Sequence, residues 1–341
     1  MKWRAGIAVV LALLATGAWF AWRQHERGWL HEPIEALRET VAFDVPEGAS
    51  LAAVAASLER QGLLAQAGAW IRYAKRSGLA TRIQAGEYDL QPGTTPAGLL
   101  DQFVAGRVRL YALTIPEGWT FRQALAAIRS HPAVRAELGA LDGTALMKRL
   151  GLTEREPEGL FFPDTYRFPR GTSDGTILLQ AHGRMENALA TAWANRAADL
   201  PLDSPYEALI LASLVEKETG APDERGLISG VFVNRLRKGM RLQTDPTVIY
   251  GMGEAFDGNL RRRDLLAYTP YNTYTRAGLP PTPIALPGRA ALEAAVRPAR
   301  TDALYFVATG LGDGRHFFAK SLVAHNENVQ RHLANLRGNG A

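Results

Sequence analysis

An uncharged apolar segment near the N-terminus constrains this chain most, because it separates a membrane-sized stretch from a polar remainder. Residues 5–22 carry no charged side chain, and Lys2, Arg4, Arg23 and Arg27 flank them. Eighteen helical residues extend about 27 Å, close to the roughly 30 Å hydrocarbon core of a bilayer. Aromatic residues close the segment, as at a membrane interface. This favours an uncleaved anchor, although the small residues near its end leave a cleaved signal peptide open.

The flanking charges do not fix the orientation of this anchor, because basic residues lie on both sides of it. The simplest topology places residues 1–4 in the cytoplasm, residues 5–22 in the membrane, and the rest outside. Residues 23–40 are charged and predict a linker. The sequence therefore predicts a single-pass membrane protein with its bulk outside the cytoplasm.

Composition excludes several function classes. The 341 residues suffice for two domains, and the absence of cysteine excludes disulfides, thiolate zinc sites and cysteine nucleophiles. The net charge of +5 is spread along the chain without a block of basic and aromatic residues, which predicts no nucleic-acid partner. The histidines lack metal-ligand spacing and no glycine-rich nucleotide motif occurs, so the sequence predicts no metal site and no nucleotide cofactor.

Residues 41–106 predict a small α/β module. A strand at 41–45 leads through a Pro-Glu-Gly turn into a helix capped by Ser50, and a second helix follows at 69–76. A strand and turn at 85–93 and a helix near 96–104 complete it. The pentapeptide DVPEG at 44–48 recurs as TIPEG at 114–118, again before a capped helix, at Thr120. This repeated strand–turn–helix pattern marks where one module ends and the next begins.

The remainder predicts a mixed α+β domain, so the fold class is α+β. A capping box at 204–207 opens a helix that runs to Thr219, with Gly220 in the place of a C-terminal glycine. A second helix is predicted at 223–238. Residues 242–288 are rich in Gly, Pro and Tyr and predict loops. A short helix near Ala290, strands at 303–308 and 316–318, and a terminal helix complete the domain.

Glu218 is the first candidate for chemistry. It follows Leu211 by seven positions and Leu214 by four, so it extends an inward-facing apolar stripe. Burial and the negative end of the helix both oppose ionisation, and a carboxyl that stays protonated near neutral pH suits a general acid. The alternative is that Glu216 and Glu218 are solvated residues at a helix end, paired with Lys217 or Arg225.

Two polar clusters lie downstream of this helix. Amides, hydroxyls and aromatic faces are the groups that a sugar-binding cleft uses, since a pyranose offers hydroxyls at its rim and C–H bonds on its face. The alternative for both clusters is a rigid proline-rich turn with surface tyrosines. The candidate residues are Gln243, Thr244, Asp245, Tyr271, Asn272, Thr273 and Tyr274.

Several long motifs resemble those of the endolytic murein transglycosylases, the YceG-like family. They occur in the family's order and span nearly the whole chain after the apolar segment. They are EGLFFPDTY (158–166), LASLVEKET (211–219), VFVNRL (231–236), MRLQTDPTVIYG (240–251), YNTY (271–274) and HN (325–326).

The resemblance implies a single transmembrane helix in the bacterial inner membrane, a LysM-like module at 41–106 and a catalytic domain at 107–335 in the periplasm. The family's catalytic glutamate matches Glu218, while Glu216 and the seven residues of the two polar clusters match substrate-binding positions. It implies a lyase that cuts peptidoglycan glycan strands between MurNAc and GlcNAc without metal or cofactor, beside peptidoglycan synthases (penicillin-binding proteins). Such a reaction needs one acid/base, which agrees with the single candidate carboxyl.

Two other hypotheses remain open at this point. The first is a non-catalytic, membrane-anchored scaffold that binds peptidoglycan through the LysM-like module. The second is a pyridoxal-phosphate lyase with Lys217 as the Schiff-base residue, which the sequence supports weakly because no phosphate-binding glycine loop accompanies that lysine.

Overall fold

The structure is a computed structural model that describes residues 13, 14, 16, 17, 28–152 and 155–338. The predicted cytoplasmic residues 1–4, nearly all of the predicted anchor at 5–22, and the start of the linker lie outside the described residues. Across the described ranges, no helix is both long enough and apolar enough to cross a bilayer.

The chain divides into two compact units. The first unit comprises Met1–Tyr111 and Arg167–Gly171, and the second comprises Ala112–Tyr166 and Thr172–Ala341. Both combine helices with small sheets, which confirms the predicted α+β class.

The first unit is built on one antiparallel strand pair with helices between and after the strands. In this pair Val41 lies opposite Leu90 and Val45 lies opposite Gly86. Ser50 caps the first helix by accepting a hydrogen bond from the Ala53 amide, as predicted. The elements are β1 (Val41–Val45), α1 (Leu51–Arg60), α2 (Ala67–Arg76), β2 (Gly86–Leu90) and α3 (Pro96–Val104).

Aromatic rings fill the core of the first unit. Phe103 of α3 contacts three other buried rings, those of Phe43, Trp70 and Tyr88, at centroid distances of 5.8, 6.3 and 4.6 Å. The polar atoms of two rings remain paired: the Trp70 indole donates to the Pro96 carbonyl, and the Tyr88 hydroxyl donates to the Gln84 carbonyl. This unit therefore has a hydrophobic core of its own.

The second unit is mainly helical, and its strands form short pairs. Strands β3 and β5 pair. Strands β4 and β6 are parallel, whereas β7 and β8 are antiparallel. The elements are β3 (Leu110–Thr114), α4 (Phe121–Ser130), β4 (Val134–Arg135), α5 (Gly143–Arg149), β5 (Thr165–Pro169), β6 (Thr172–Ser173), α6 (Asp174–Ala194), α7 (Pro205–Glu218), α8 (Arg225–Arg237), α9 (Asp245–Met252), α10 (Arg262–Leu266), α11 (Arg289–Val296), β7 (Tyr305–Ala308), β8 (His316–Ala319) and α12 (Leu322–Gly338).

Helix α7 forms the centre of the second unit. All eight residues from Ala208 to Val215 are buried, and α6, α8, α9 and α11 pack around them. A helix that is apolar on every side is stable only when neighbours surround it. Its last residue, Glu218, is therefore held at a fixed place.

The ends of α7 differ in detail from the sequence prediction. Ser204 caps the helix through the Glu207 amide at 3.3 Å, but the Glu207 carboxylate accepts from the Asp203 amide, so the predicted reciprocal capping box is wrong. The helix ends at Glu218 because Thr219 is extended, and Gly220 does not take the left-handed conformation of a C-terminal glycine.

The segment 242–288 is not made of loops alone, as the sequence predicted. It contains α9 and α10, which are eight and five residues long. Asp245 and Pro246 begin α9, and proline is favoured in the first turn of a helix because its missing N–H would have no intrahelical partner.

Two helical glycines test the packing of the second unit. A Cβ at Gly230 of α8 would lie 2.6 Å from the Ala299 carbonyl oxygen, whereas nothing lies within 4 Å of a Cβ at Gly183 of α6. We expect Gly230→Ala to lower the free energy of unfolding by about 1–3 kcal/mol through overpacking. Gly183→Ala should raise it by about 0.5–1 kcal/mol through helix propensity. Denaturant unfolding measures both changes in the free energy of unfolding. Changes in the same direction for the two substitutions would contradict this packing.

Candidate active site

Glu218 lies where α7 ends. The next residue, Thr219, turns away with φ −143° and ψ 135°, and its hydroxyl accepts a hydrogen bond from the Ala221 amide at 2.9 Å. The Glu218 side chain is partly buried. Because the C-terminus of a helix carries partial negative charge, this position disfavours the ionised carboxylate.

A cluster of threonine hydroxyls faces Glu218. The Thr244 hydroxyl donates to Oε1 of Glu218, while the Thr244 amide donates to the Thr273 hydroxyl at 3.1 Å. The Thr247 hydroxyl lies 2.9 Å from the Thr273 hydroxyl and donates to the Thr244 carbonyl at 2.7 Å. All three threonines are buried, and the backbone amide and carbonyl of Thr244 are both bonded, which fixes the residue whose hydroxyl meets Glu218.

Burial raises the pKa of Glu218 to about 7. This value already includes three smaller effects: the Thr244 hydrogen bond lowers the pKa, the neighbouring Asp245 carboxylate raises it, and the Arg235 guanidinium lowers it. Part of the side chain stays accessible to solvent, and Oε2 has no hydrogen-bond partner among the described residues. A carboxyl of this kind can both donate and accept a proton near neutral pH.

Gln243 is exposed and takes an unusual backbone conformation. Its φ of +53° is the only positive value found at a non-glycine residue within the described ranges. This conformation costs on the order of 1 kcal/mol for a residue with a Cβ, and such strain is concentrated at functional sites. The Gln243 amide donates to the Thr273 carbonyl at 3.2 Å, which ties the residue to the hydroxyl cluster.

Two tyrosines and an aspartate lie beside the same loop. The Tyr274 hydroxyl donates to Oδ1 of Asp245 at 2.5 Å, and Asp245 itself is exposed. The Tyr271 hydroxyl lies 2.9 Å from the Thr282 hydroxyl, and its ring meets the Tyr250 ring edge to face at 4.9 Å. Both tyrosines are partly exposed, so their rings and hydroxyls offer surface to a ligand.

Asn272 and Thr273 hold this segment in place from inside. The side-chain nitrogen of the buried Asn272 donates to the backbone carbonyls of Asp264, Leu265 and Ala267. Its side-chain oxygen accepts from the backbone amide of Tyr274. Thr273 is buried within the hydroxyl cluster. Their polar atoms are thus committed to the protein, and each shapes the segment that carries the exposed tyrosines.

Glu216 points to a different neighbourhood from Glu218. Its Oε2 accepts from the Gly288 amide, before α11, at 3.0 Å, and its Oε1 lies 3.9 Å from the Arg225 guanidinium. Burial is the main cause that raises the pKa of Glu216, and the Gly288 bond opposes it. The Lys217 ammonium, which is exposed, donates to the Gly118 carbonyl at 3.2 Å.

Sequence reasoning missed a buried carboxyl, Glu158. It accepts hydrogen bonds from the Phe121 amide at 2.9 Å and the Tyr250 hydroxyl at 3.2 Å, and burial raises its pKa to about 7. It also missed Arg235, which is 7% exposed and contacts the loop before Thr244. Both residues lie in motifs that carried the family resemblance, and membership of those motifs was the sequence feature that could have identified them.

Within the described ranges, no group of three His, Asp or Glu side chains is placed to hold a metal ion. The histidines instead make local contacts. Nδ1 of His316 lies 2.8 Å from the Glu224 carboxylate, and the His325 ring stacks on Tyr305.

Comparison with known proteins places this geometry in a family. The sequence model of the YceG-like family matches residues 43–331. The chain belongs to the YceG-like family. An endolytic murein transglycosylase of Bacillus subtilis (strain 168) is 31% identical over 323 residues, which cover 89% of this chain and 88% of the relative.

Other members of the YceG-like family are similar at the same level. An endolytic murein transglycosylase of Streptococcus pneumoniae is 30% identical over 95% of this chain, which spans 64% of that longer protein. The crystal structure of a YceG-like protein of Listeria monocytogenes superposes with a TM-score of 0.53 and 29% identity, covering 85% of this chain and 99% of that one.

The raised pKa of Glu218 predicts how stability depends on pH. The folded chain holds a proton on Glu218 between pH 4.5, its ordinary pKa, and about 7, so the folded state loses stability as pH rises through that window. Glu218→Gln removes this loss and keeps an oxygen for Thr244. We expect the variant to unfold at similar free energy to wild type at pH 4 and to be more stable by about 1–3 kcal/mol at pH 8.

Denaturant unfolding at several pH values measures this difference. Glu47→Gln, which changes an exposed carboxyl, is the control and should show no comparable gain at pH 8. A pH-independent difference between wild type and Glu218→Gln would show that the carboxyl is solvated.

Proposed function

We propose that this chain is an endolytic murein transglycosylase, a lyase that cuts peptidoglycan glycan strands between MurNAc and GlcNAc. The observation that carries the proposal is Glu218, a partly accessible carboxyl with a pKa of about 7 and a fixed hydroxyl on one oxygen. The names of the relatives in Bacillus subtilis and Streptococcus pneumoniae support it.

In the proposed reaction Glu218 acts first as acid and then as base. Because Thr244 donates to Oε1, the acidic proton belongs on Oε2, which is free to meet a substrate. That proton passes to the bridging oxygen as the bond from C1 of MurNAc breaks, and the N-acetyl group assists. The C6 hydroxyl then gives its proton to Glu218 as its oxygen bonds to C1, which leaves a 1,6-anhydroMurNAc end and restores the acid.

The surrounding residues divide by exposure in this proposal. The exposed Gln243 and Asp245 and the partly exposed Tyr271 and Tyr274 would contact sugar hydroxyls and ring faces. The other proposed substrate-binding residues, Glu216, Thr244, Asn272 and Thr273, would act mainly by shaping the site, since their polar atoms already bond to protein groups.

The cellular setting belongs to the same proposal. Residues 5–22 would anchor the chain in the inner membrane, residues 41–106 would act as a LysM-like glycan-binding module, and residues 107–335 would carry out catalysis in the periplasm. Working beside peptidoglycan synthases, the enzyme would end the elongation of nascent strands. Deleting the gene should then lengthen glycan strands in chromatography of digested sacculi, and unchanged lengths would refute this role.

Digestion of purified sacculi by the full-length chain tests the chemistry. We expect wild type to release muropeptides with anhydro ends and Glu218→Gln to lose at least about a hundredfold in turnover, the contribution of general acid–base catalysis. Glu216→Gln is the matched control on the same helix turn and should retain turnover within about tenfold, since an amide oxygen can still accept from Gly288.

Mass spectrometry of the products separates the alternatives. Anhydro ends from Glu218→Gln would remove Glu218 from the proposed role. A wild-type chain that binds sacculi but releases no anhydro ends would favour the non-catalytic scaffold.

A further inference from the structure

Arg235 of α8 lies behind the loop formed by residues 241–244, here called the 241–244 loop. We propose that Arg235 is a positioning residue that fixes this loop so that the Thr244 hydroxyl meets Glu218. This inference rests on the proposed function, and it assigns a role to a residue that does not itself touch the substrate.

The contacts of Arg235 converge on the backbone of the 241–244 loop. Its Nη1 donates to the carbonyls of Arg241 at 3.1 Å and Leu242 at 2.8 Å, and lies 3.3 Å from Oε1 of Gln243. Its Nε donates to the Leu304 carbonyl at 2.6 Å. A guanidinium offers five donors in one plane, so it can join these separate segments, whereas a lysine ammonium offers a single point of attachment.

The loop needs such support because of Gln243. A residue with a Cβ at φ +53° relaxes to a negative φ unless its neighbours hold it. Arg235 binds the two carbonyls that precede Gln243, and the Thr273 carbonyl accepts the Gln243 amide. Thr244 is the next residue in the chain, so a change of φ at Gln243 would move the hydroxyl away from Glu218.

An aromatic stack covers the other side of the guanidinium. The carbon Cζ of Arg235 lies 5.1 Å from the centroid of the Tyr305 ring, and the His325 ring stacks on Tyr305 at 5.1 Å with an interplanar angle of 24°. Burial lowers the pKa of His325, and the Arg235 charge acts in the same direction. A neutral imidazole therefore completes the stack, which gives His325 of the HN motif a structural role.

Arg235 also acts on Glu218 through its charge. Its positive charge favours the carboxylate and lowers the pKa of Glu218, against the effects of burial and of Asp245. The Thr244 hydroxyl and the Asp245 carboxylate also act on the pKa of Glu218, and the Tyr274 hydroxyl is bonded to Asp245. Removing the guanidinium should therefore both release the 241–244 loop and raise the pKa of Glu218.

A neighbour provides a matched control. The Asn234 side chain donates to the carbonyls of Thr301 at 2.8 Å and Ala303 at 3.1 Å, so it also joins α8 to the segment before β7. No bond of the Asn234 side chain reaches the 241–244 loop among the described residues. Asn234→Ala thus removes anchoring of α8 and leaves the Arg235 contacts with that loop.

The experiment compares full-length Arg235→Met, Arg235→Lys and Asn234→Ala with wild type on purified sacculi. We expect Arg235→Met to lower kcat at least about tenfold, because the Thr244 hydroxyl is then misplaced. The fall of kcat at alkaline pH should move to higher pH, because the loss of the positive charge raises the pKa of Glu218. Arg235→Lys keeps the charge, so its kcat should fall at nearly the same alkaline pH as that of wild type, while kcat itself stays low. Asn234→Ala should lower the melting temperature, with kcat within about twofold and its alkaline fall at an unchanged pH.

A second measurement does not depend on activity. The increase in free energy of unfolding caused by Glu218→Gln is measured against pH in the wild-type and Arg235→Met backgrounds. We expect the pH range over which this increase grows to extend to higher pH in the Arg235→Met background. If Arg235→Met does not fold, the same comparison is made with Arg235→Gln, which also removes the charge, so the pH range of the gain should again extend to higher pH.

The inference is overturned if Arg235→Met and Asn234→Ala lose kcat equally at equal loss of stability, with the fall of kcat at the same alkaline pH. An unchanged pH range of the gain in the variant that lacks the Arg235 charge would also overturn it. If wild type releases no anhydro ends, the proposed function fails, whereas the stability measurement still decides whether Arg235 acts on Glu218.

Discussion

The hydrogen bond between Thr244 and Glu218, at the buried end of α7, is the interaction on which the rest of the site depends. Burial alone would give a protonated carboxyl of no particular orientation. The Thr244 hydroxyl occupies one oxygen and leaves the other on the accessible side. Because the residues from Ala208 to Val215 are enclosed by neighbouring helices, the helix end that carries the carboxyl is fixed relative to the core.

Holding this arrangement costs stability, and the surrounding contacts offset the cost. Ionising Glu218 is unfavourable in the folded chain, and Gln243 is in a left-handed conformation that its side chain disfavours. The hydroxyls of Thr247 and Thr273 and the Asn272 amide make bonds that fix the same region without facing a ligand. Such pairing of a strained, reactive group with a fully bonded support is typical of sites that must be preorganised.

The sequence predicted the helical frame better than the loops that complete the site. Caps at Ser50, Thr120 and Ser204 follow from local chemistry. The sequence indicated one inward stripe on α7, whereas the structure buries every residue from Ala208 to Val215. Helices α9 and α10 were missed because they are short and lie among glycines and prolines. The roles of Asn272 and Arg235 depend on backbone carbonyls that only folding brings together, and an arginine in a sequence gives no sign that it is buried.

The comparison of Glu158 with Glu218 shows why a raised pKa does not identify an acid catalyst by itself. Burial raises both values to about 7. Glu158 is 5% exposed, and its oxygens are occupied by the Phe121 amide and the Tyr250 hydroxyl, so its proton has no path to a substrate. Glu218 has one oxygen held and one accessible. Access at one oxygen, combined with a fixed partner at the other, is what makes Glu218 suited to donate a proton and take it back.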